Sequence, residues 1–127
     1  MNIYEATSAA IERAGIAAYY LVAKPKASRP QVPDQYAVYT RVLTESPLGC
    51  DDADRILAHH VRVDVYDAVT PTQAVARLRQ SLTRAGFVIK AERDLSEYEG
   101  EGYRVQLSCV YYEDLMTPRE GAMEGEP

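Results

Sequence analysis

Histidine, carboxylate and serine side chains are the groups in this chain that could do chemistry, so their spacing is the first question. His59 and His60 are adjacent, and neighbouring residues of a strand point to opposite faces of a sheet. They therefore cannot easily share a metal ion, and no HxH or HExxH motif accompanies them. We expect both to be ordinary surface or edge-strand side chains.

Two acidic stretches offer the oxygen ligands that a hard cation prefers. Asp51, Asp52 and Asp54 lack the distal glutamate of a calcium loop, and residues 95–102 (LSEYEGEG) have the composition of a charged loop tip. The serines have no GxSxG context, and no phosphate-binding glycine motif is present. We therefore expect no catalytic site, no cofactor and no metal, and a protein that is not an enzyme.

Charge and cysteine content narrow the class of partner. The net charge is −5, with 19 acidic and 14 basic residues, which disfavours tight binding to nucleic acid phosphates. No apolar run approaches the roughly 20 residues that span a bilayer, and no secretory segment is recognisable. Cys50 and Cys109 lack CxxC spacing and are expected to be free thiols of a soluble intracellular protein.

The elements that must position these groups are clearest between His60 and Phe87. Apolar residues first alternate, as in a half-buried strand, and then recur with helical spacing. Thr70 is predicted to cap the helix, with Pro71 at its first position and Gln73 completing a capping box. Gly86 is predicted to end it. The core positions predicted here are Val61, Val63, Val65, Val75, Leu78, Leu82 and Ala85.

Similar patterns predict the rest of the domain. A first helix over residues 2–14 is capped by Asn2 and ended by Gly15. The resulting order, α-β-β-β-α-β-β, predicts an α+β domain over residues 1–114: a single, mostly antiparallel sheet of four to five strands with two helices packed on one face. The acidic tail 115–127 is expected to be flexible. The strands are predicted at residues 17–23, 36–46, 56–67, 87–94 and 103–112, the last two as a hairpin.

Contacts with other proteins are expected from loops around this scaffold. The loop 24–35 carries three prolines and three basic residues, and loops this long are often functional, although a solvated connection is the alternative. The arginines of the second helix could contact a neighbour or simply form its solvated face. The candidate contact residues are Lys24, Lys26, Arg29, Gln31, Asp34, Arg77, Arg84, Tyr98, Glu99 and Arg104.

The layout resembles the small tail-terminator, or tail-completion, proteins of long-tailed bacteriophages and prophages, sometimes described as head–tail joining proteins. The likeness spans about residues 1–114 and concerns a pattern of elements rather than a reactive motif. It rests on the helix ending in Gly15, the loop with Pro30 and Pro33, the strand Tyr36-Ala37-Val38-Tyr39, Asp51-Asp52, the strand Val61-Arg62-Val63-Asp64-Val65-Tyr66, the second helix with Gly86-Phe87, the loop LSEYEGEG, and Tyr103-Arg104-Val105.

The resemblance implies a structural role. Such proteins form a ring, often a hexamer, that stops growth at the head-proximal end of the tail tube and meets the head-side connector. The implied partners are further copies of the chain, the tail tube protein and the connector, and the implied location is the virion tail after assembly in the host cytoplasm. An acidic bore would let DNA pass without binding it. Another neck or connector component, a small non-catalytic ligand-binding or regulatory module, and an enzyme with an unfamiliar site are the alternatives.

Overall fold

A five-stranded mixed sheet with two helices on one face forms the domain, in the order that the sequence predicts. The computed structural model describes residues 2–46, 56–96 and 102–115. The strand order is β1-β2-β3-β5-β4, and all neighbours are antiparallel except the parallel pair β1–β2. The elements are α1 (Ile3–Arg13), β1 (Ala17–Tyr20), β2 (Tyr36–Glu45), β3 (Ile56–Asp67), α2 (Thr72–Arg84), β4 (Phe87–Asp94) and β5 (Tyr103–Asp114).

The first helix begins and ends as its sequence predicts. The side-chain oxygen of Asn2 accepts a hydrogen bond from the backbone N–H of Glu5 at 2.8 Å, and its amide donates to the Glu5 carboxylate, also at 2.8 Å. The first of these bonds satisfies a backbone N–H that a helix start otherwise leaves unpaired. At the other end Gly15 adopts φ +81°, a conformation that glycine reaches without strain.

The predicted start of the second helix is wrong by one residue. Pro71, not Thr70, is the N-cap of α2, and no side chain makes a capping hydrogen bond there. The reason is that the carbonyl of Pro71 accepts the first helical bond, from the N–H of Val75 at 2.8 Å, so Thr70 lies outside the helix. The predicted capping box with Gln73 is therefore absent. The predicted helix end is confirmed, because Gly86 has φ +100°.

The hydrophobic core lies between the helices and one face of β3 and β5. Val63 of β3 is level with Leu107 of β5, and both side chains are fully buried. Successive side chains of a strand point to opposite faces, so every second residue of β3 and β5 lies on the core side. Every core position that the sequence predicts is buried or packed against this cluster. Its other members include Ala10 and Ile11 of α1, Ala37 and Tyr39 of β2, and Phe87 of β4.

Three strands differ in length from their predicted bounds, β2 by only one residue, since it ends at Glu45. β1 ends at Tyr20 rather than at residue 23, because Leu21 has φ +68° and turns the chain away. β5 extends to Asp114, two residues beyond its predicted end. The predicted flexible tail lies almost wholly outside the described residues. Neither helix in the described part of the chain is long and apolar enough to cross a membrane.

We predict that Val75→Asp destabilises the domain by about 3–5 kcal/mol, because it buries an unpaired carboxylate under the sheet. Val75 is 6% exposed and belongs to the core. The matched control is Val69→Asp, since Val69 is 67% exposed, and its cost should be within about 0.5 kcal/mol. Urea unfolding followed by circular dichroism measures both, and equal midpoints would contradict this assignment of the helix face.

We also predict that Cys109 resists thiol reagents until the domain unfolds. Burial raises the pKa of its thiol from 9.0 to about 12. At pH 9 only about one folded molecule in a thousand would then carry the reactive thiolate. In a Cys50→Ser variant, labelling at pH 9 should be slow in buffer and rapid in denaturant. Because the unfolded thiol ionises first, stability should also fall as pH rises above about 9. Rapid labelling of the folded variant would contradict the buried placement.

Candidate protein-interaction surface

The sheet face opposite the helices, called here the open face, carries a row of aromatic rings and cations. The rings of Tyr36 and Tyr66 stack with centroids 4.9 Å apart, and Tyr19 meets Tyr36 edge-on at 6.0 Å. Arg104 lies over the Tyr66 ring at 5.5 Å, and the ammonium of Lys26 lies over Tyr19 at 4.8 Å. This row crosses β1, β2, β3 and β5. Such contacts hold their side chains in place through ring quadrupoles as well as packing.

A buried carboxylate lies beside this row. Asp64 of β3 is 5% exposed, and its Oδ1 accepts hydrogen bonds from Gln106 at 3.0 Å and from Nε of Arg104 at 3.3 Å. The guanidinium of Arg62 lies 3.7 Å from the other carboxylate oxygen. A buried charge is tolerated when it is paired and hydrogen-bonded in this way. Arg104 therefore serves both the carboxylate and the aromatic row.

Two of the three basic residues of the loop 24–35 contact the rest of the domain. Lys26 donates to the backbone carbonyl of Ala18 in β1 at 3.1 Å. Arg29 lies 5.3 Å from the Tyr19 ring centroid and pairs with the carboxylate of Glu12 at 2.8 Å. The bond to Glu12 raises the pKa of the Arg29 guanidinium above its ordinary value. Because β1 is an edge strand, this loop covers strand surface that would otherwise be open.

Arg77 is also engaged within the chain. Its Nε donates to the carbonyl of Ala14 at 3.0 Å, at the C-terminal end of α1, where a cation is favoured. Its guanidinium also reaches the side-chain oxygen of Gln35 at 3.5 Å. Gln35 in turn donates to the carboxylate of Asp67 at 2.8 Å. Arg77 thus links α1, α2 and the end of the loop 24–35.

The candidate contact residues accordingly fall into three groups. Lys26, Arg29, Arg77 and Arg104 make the intramolecular contacts above, which hold the loop and the open face. Tyr98 and Glu99 lie outside the described residues. The remaining four have exposed side chains on the loop and at the end of α2: Lys24, Gln31, Asp34 and Arg84.

A cleft of 440 Å³ lies at the end of the open face where the loop meets β2, β3 and β5. Its walls combine the rings of Tyr36, Tyr66 and Tyr103 with the charged groups of Asp34 and Arg104. Aromatic walls with a few polar groups are typical of sites that hold a small molecule or one side chain of a partner. Sequence spacing did not indicate this cleft, because its residues come from separate elements.

An exposed apolar patch beside the outer half of β2 was also missed. We call Leu21, Val22, Val42 and Leu43 the β2-edge patch; Leu21 and Val42 are each 61% exposed. Strict alternation would place Val42 and Leu43 on opposite faces with one of them toward the core, but the pairing of β2 with β3 shifts between Arg41 and Leu43. The consecutive apolar pair in an alternating strand was the available signal.

The two histidines bind carboxylates and lie on opposite sides of β3. His60 contacts the Glu45 carboxylate at 2.7 Å. The ring of His59 lies 3.0 Å from the Thr44 hydroxyl and 3.0 Å from the Glu113 carboxylate, which links β2, β3 and β5. The expectation of a surface or edge-strand residue is wrong for His59, since β3 is internal and His59 is buried.

A hydroxyl, an imidazole and a carboxylate in series invite comparison with a hydrolytic triad. Here the hydroxyl contacts Nδ1 and the carboxylate Nε2, the reverse of the arrangement in that template. We therefore assign Thr44, His59 and Glu113 a structural role as a cross-strand link. Within the described residues, no three His, Cys, Asp or Glu side chains are placed to hold one metal ion.

In comparisons with known proteins, no family model matches the chain, and no curated protein matches it. The resemblance to tail-terminator proteins therefore stays a prediction.

We predict that Arg104→Gln destabilises the domain by about 1–2 kcal/mol, because it removes a charged hydrogen bond to buried Asp64 and the contact with Tyr66. Arg84→Gln is the matched control, since Arg84 is exposed in the last turn of α2, and it should change stability by less than about 0.5 kcal/mol. Chemical unfolding curves measure the stability of both variants against wild type. An Arg104→Gln variant as stable as wild type would contradict this structural role and make Arg104 available for contacts with a partner.

Proposed function

We propose that this chain is a structural virion protein of a long-tailed phage or prophage: a tail terminator that forms a ring of six copies at the head-proximal end of the tail tube. The β2-edge patch is the observation that carries the proposal. Exposed apolar side chains beside a strand edge that no described segment pairs with favour assembly with another protein surface. The resemblance in element order and loop positions supports this particular assembly.

In the proposed ring, the surfaces of each subunit have different roles. The open face, with its aromatic row and the Asp64 network, gives each subunit a stiff frame. The exposed candidates Lys24, Gln31, Asp34 and Arg84 would contact the tail tube protein or the head-side connector. The net charge of −5 suits a bore past which DNA moves without binding. In this proposal the finished ring belongs to the virion tail, and its subunits meet in the host cytoplasm.

A second candidate function is a small ligand-binding module. The cleft of 440 Å³ favours it, because its volume and its mixed aromatic and polar walls are within the range of small-molecule sites. Another neck or connector component of the same kind of phage is the nearer alternative. It would use the same surfaces with different partners.

Deleting the gene in the phage or prophage that encodes this chain tests the proposal. Without a terminator the tube has no stop, so electron microscopy should show headless tails of abnormal length. Supplying the wild-type chain, or the Val69→Asp control, should restore uniform tails with heads. Tails of normal length without heads would point instead to another connector component. Normal virions would contradict both assignments.

A further inference from the structure

Among the described residues, the outer half of β2 is an unpaired sheet edge. β1 is level with only the first four residues of β2, from Tyr36 to Tyr39, and the last bond on that side runs from the N–H of Leu21 to the carbonyl of Tyr39 at 3.0 Å. Beyond this point, no strand in the described part of the chain pairs with residues 40–45 on the β1 side. Unpaired backbone groups on such an edge are a template for another strand.

The protection differs sharply between the two halves of this edge. The inner half is covered by β1 and by the loop anchored through Lys26 and Arg29. The outer half is bordered by the β2-edge patch instead, with Val42 61% and Leu43 48% exposed. Arg41 and Glu45 flank these two exposed apolar side chains, and no segment in the described part of the chain covers them, so this stretch of edge favours an occupant.

A second copy of this chain has the strand that fits. β4 is the opposite edge of the sheet. β2, β3, β5 and β4 are successively antiparallel, so β4 runs opposite to β2. A copy rotated about an axis along the strands therefore presents β4 antiparallel to β2. This is a head-to-tail contact, which closes into a ring when the rotation divides the circle evenly.

The charges of the two edges are complementary in one alignment. When Arg41 lies opposite Asp94, both are on the helix side of the sheet, because they are level with Val61 and Val105 of the core. The register shift in β2 then brings Leu43 opposite Arg93. Leu43 is level with His60, and Arg93 is level with Gln106. His60 and Gln106 alternate with core residues of their strands, so Leu43 and Arg93 both lie on the open face.

The same alignment places Glu45 two positions along from Leu43, diagonal to Arg93 on the open face. Opposite charges would therefore meet on both sides of the joined sheet. Arg41 keeps its place over the Tyr4 ring, whose centroid is 5.6 Å away.

We propose that residues 41–45 of β2 pair antiparallel with residues 91–94 of β4 from a second copy of this chain, so that the subunits join head to tail. Backbone hydrogen bonds supply the pairing, and the β2-edge patch is covered by the incoming strand. The contact rests on the proposed function only for its closure into a ring. The pairing itself is a property of the purified chain.

Cysteine cross-linking tests the pairing in a Cys50→Ser background, where buried Cys109 is the sole native thiol. Leu43→Cys combined with Arg93→Cys should give, on mild oxidation, a ladder of dimers, trimers and larger covalent species on a non-reducing gel. Leu43→Cys alone should stay monomeric on the same gel, because its partner position carries no thiol. Leu43→Cys with Arg84→Cys is the matched control, since Arg84 belongs to α2 and to neither edge strand, and it should also stay monomeric.

Two results would overturn the proposal. A double variant that stays monomeric excludes the pairing, and a Leu43→Cys dimer shows a two-fold β2–β2 contact instead. Native mass in reductant gives an independent readout: Leu43→Lys should reduce the assembly to monomers, whereas Val69→Lys, at a separate exposed position, should leave it intact. A monomeric wild-type chain at high concentration also overturns it. If the double variant gives the ladder but deleting the gene leaves tails normal, this contact stands and the tail-terminator role is wrong.

Discussion

The rest of the structure depends on β3, which is paired on both sides and used on both faces. It is level with β2 along one edge and with β5 along all twelve of its residues on the other. Its valines pack under the helices, while Asp64 and Tyr66 organise the open face. A shift of one residue in either pairing would exchange these two sets. The core and the open face therefore specify the same register independently.

That constraint explains why the polar side of this sheet is more ordered than a solvated face usually is. Asp64 is held by side chains from β3 and β5, and Arg104 connects it to the aromatic row. The loop 24–35 adds Lys26 and Arg29 to the far end of that row. Basic residues that could have met an external partner instead hold the connection between two parallel strands. Within the described residues, the strand edge and the exposed side chains of Lys24, Gln31, Asp34 and Arg84 remain for partners.

Periodicity was enough to place both helices and all five strands, because an apolar stripe or an alternating run reflects burial directly. It did not show the register shifts at Val42 and Lys90, since an extra residue in one strand depends on what its neighbour does. Thr70 is a good capping residue by type, yet the chain starts α2 after Pro71. The contacts of Arg29 and Arg77 could not be predicted from the sequence, because their partners become neighbours only in the folded domain. These partners are Glu12, Ala14 and Tyr19.

The position of β5 has a consequence for how the domain is made. β5 is the last strand in the described part of the chain, yet it lies between β3 and β4, and its pairing joins Ile56 to Asp114 across almost half the sequence. Until it is synthesised, β3 has an open side and β4 has no partner in the sheet. Pairings so distant in sequence slow folding, because the intervening chain must be ordered first. The domain should therefore form only after β5 has left the ribosome, and its nascent strands would need protection until then.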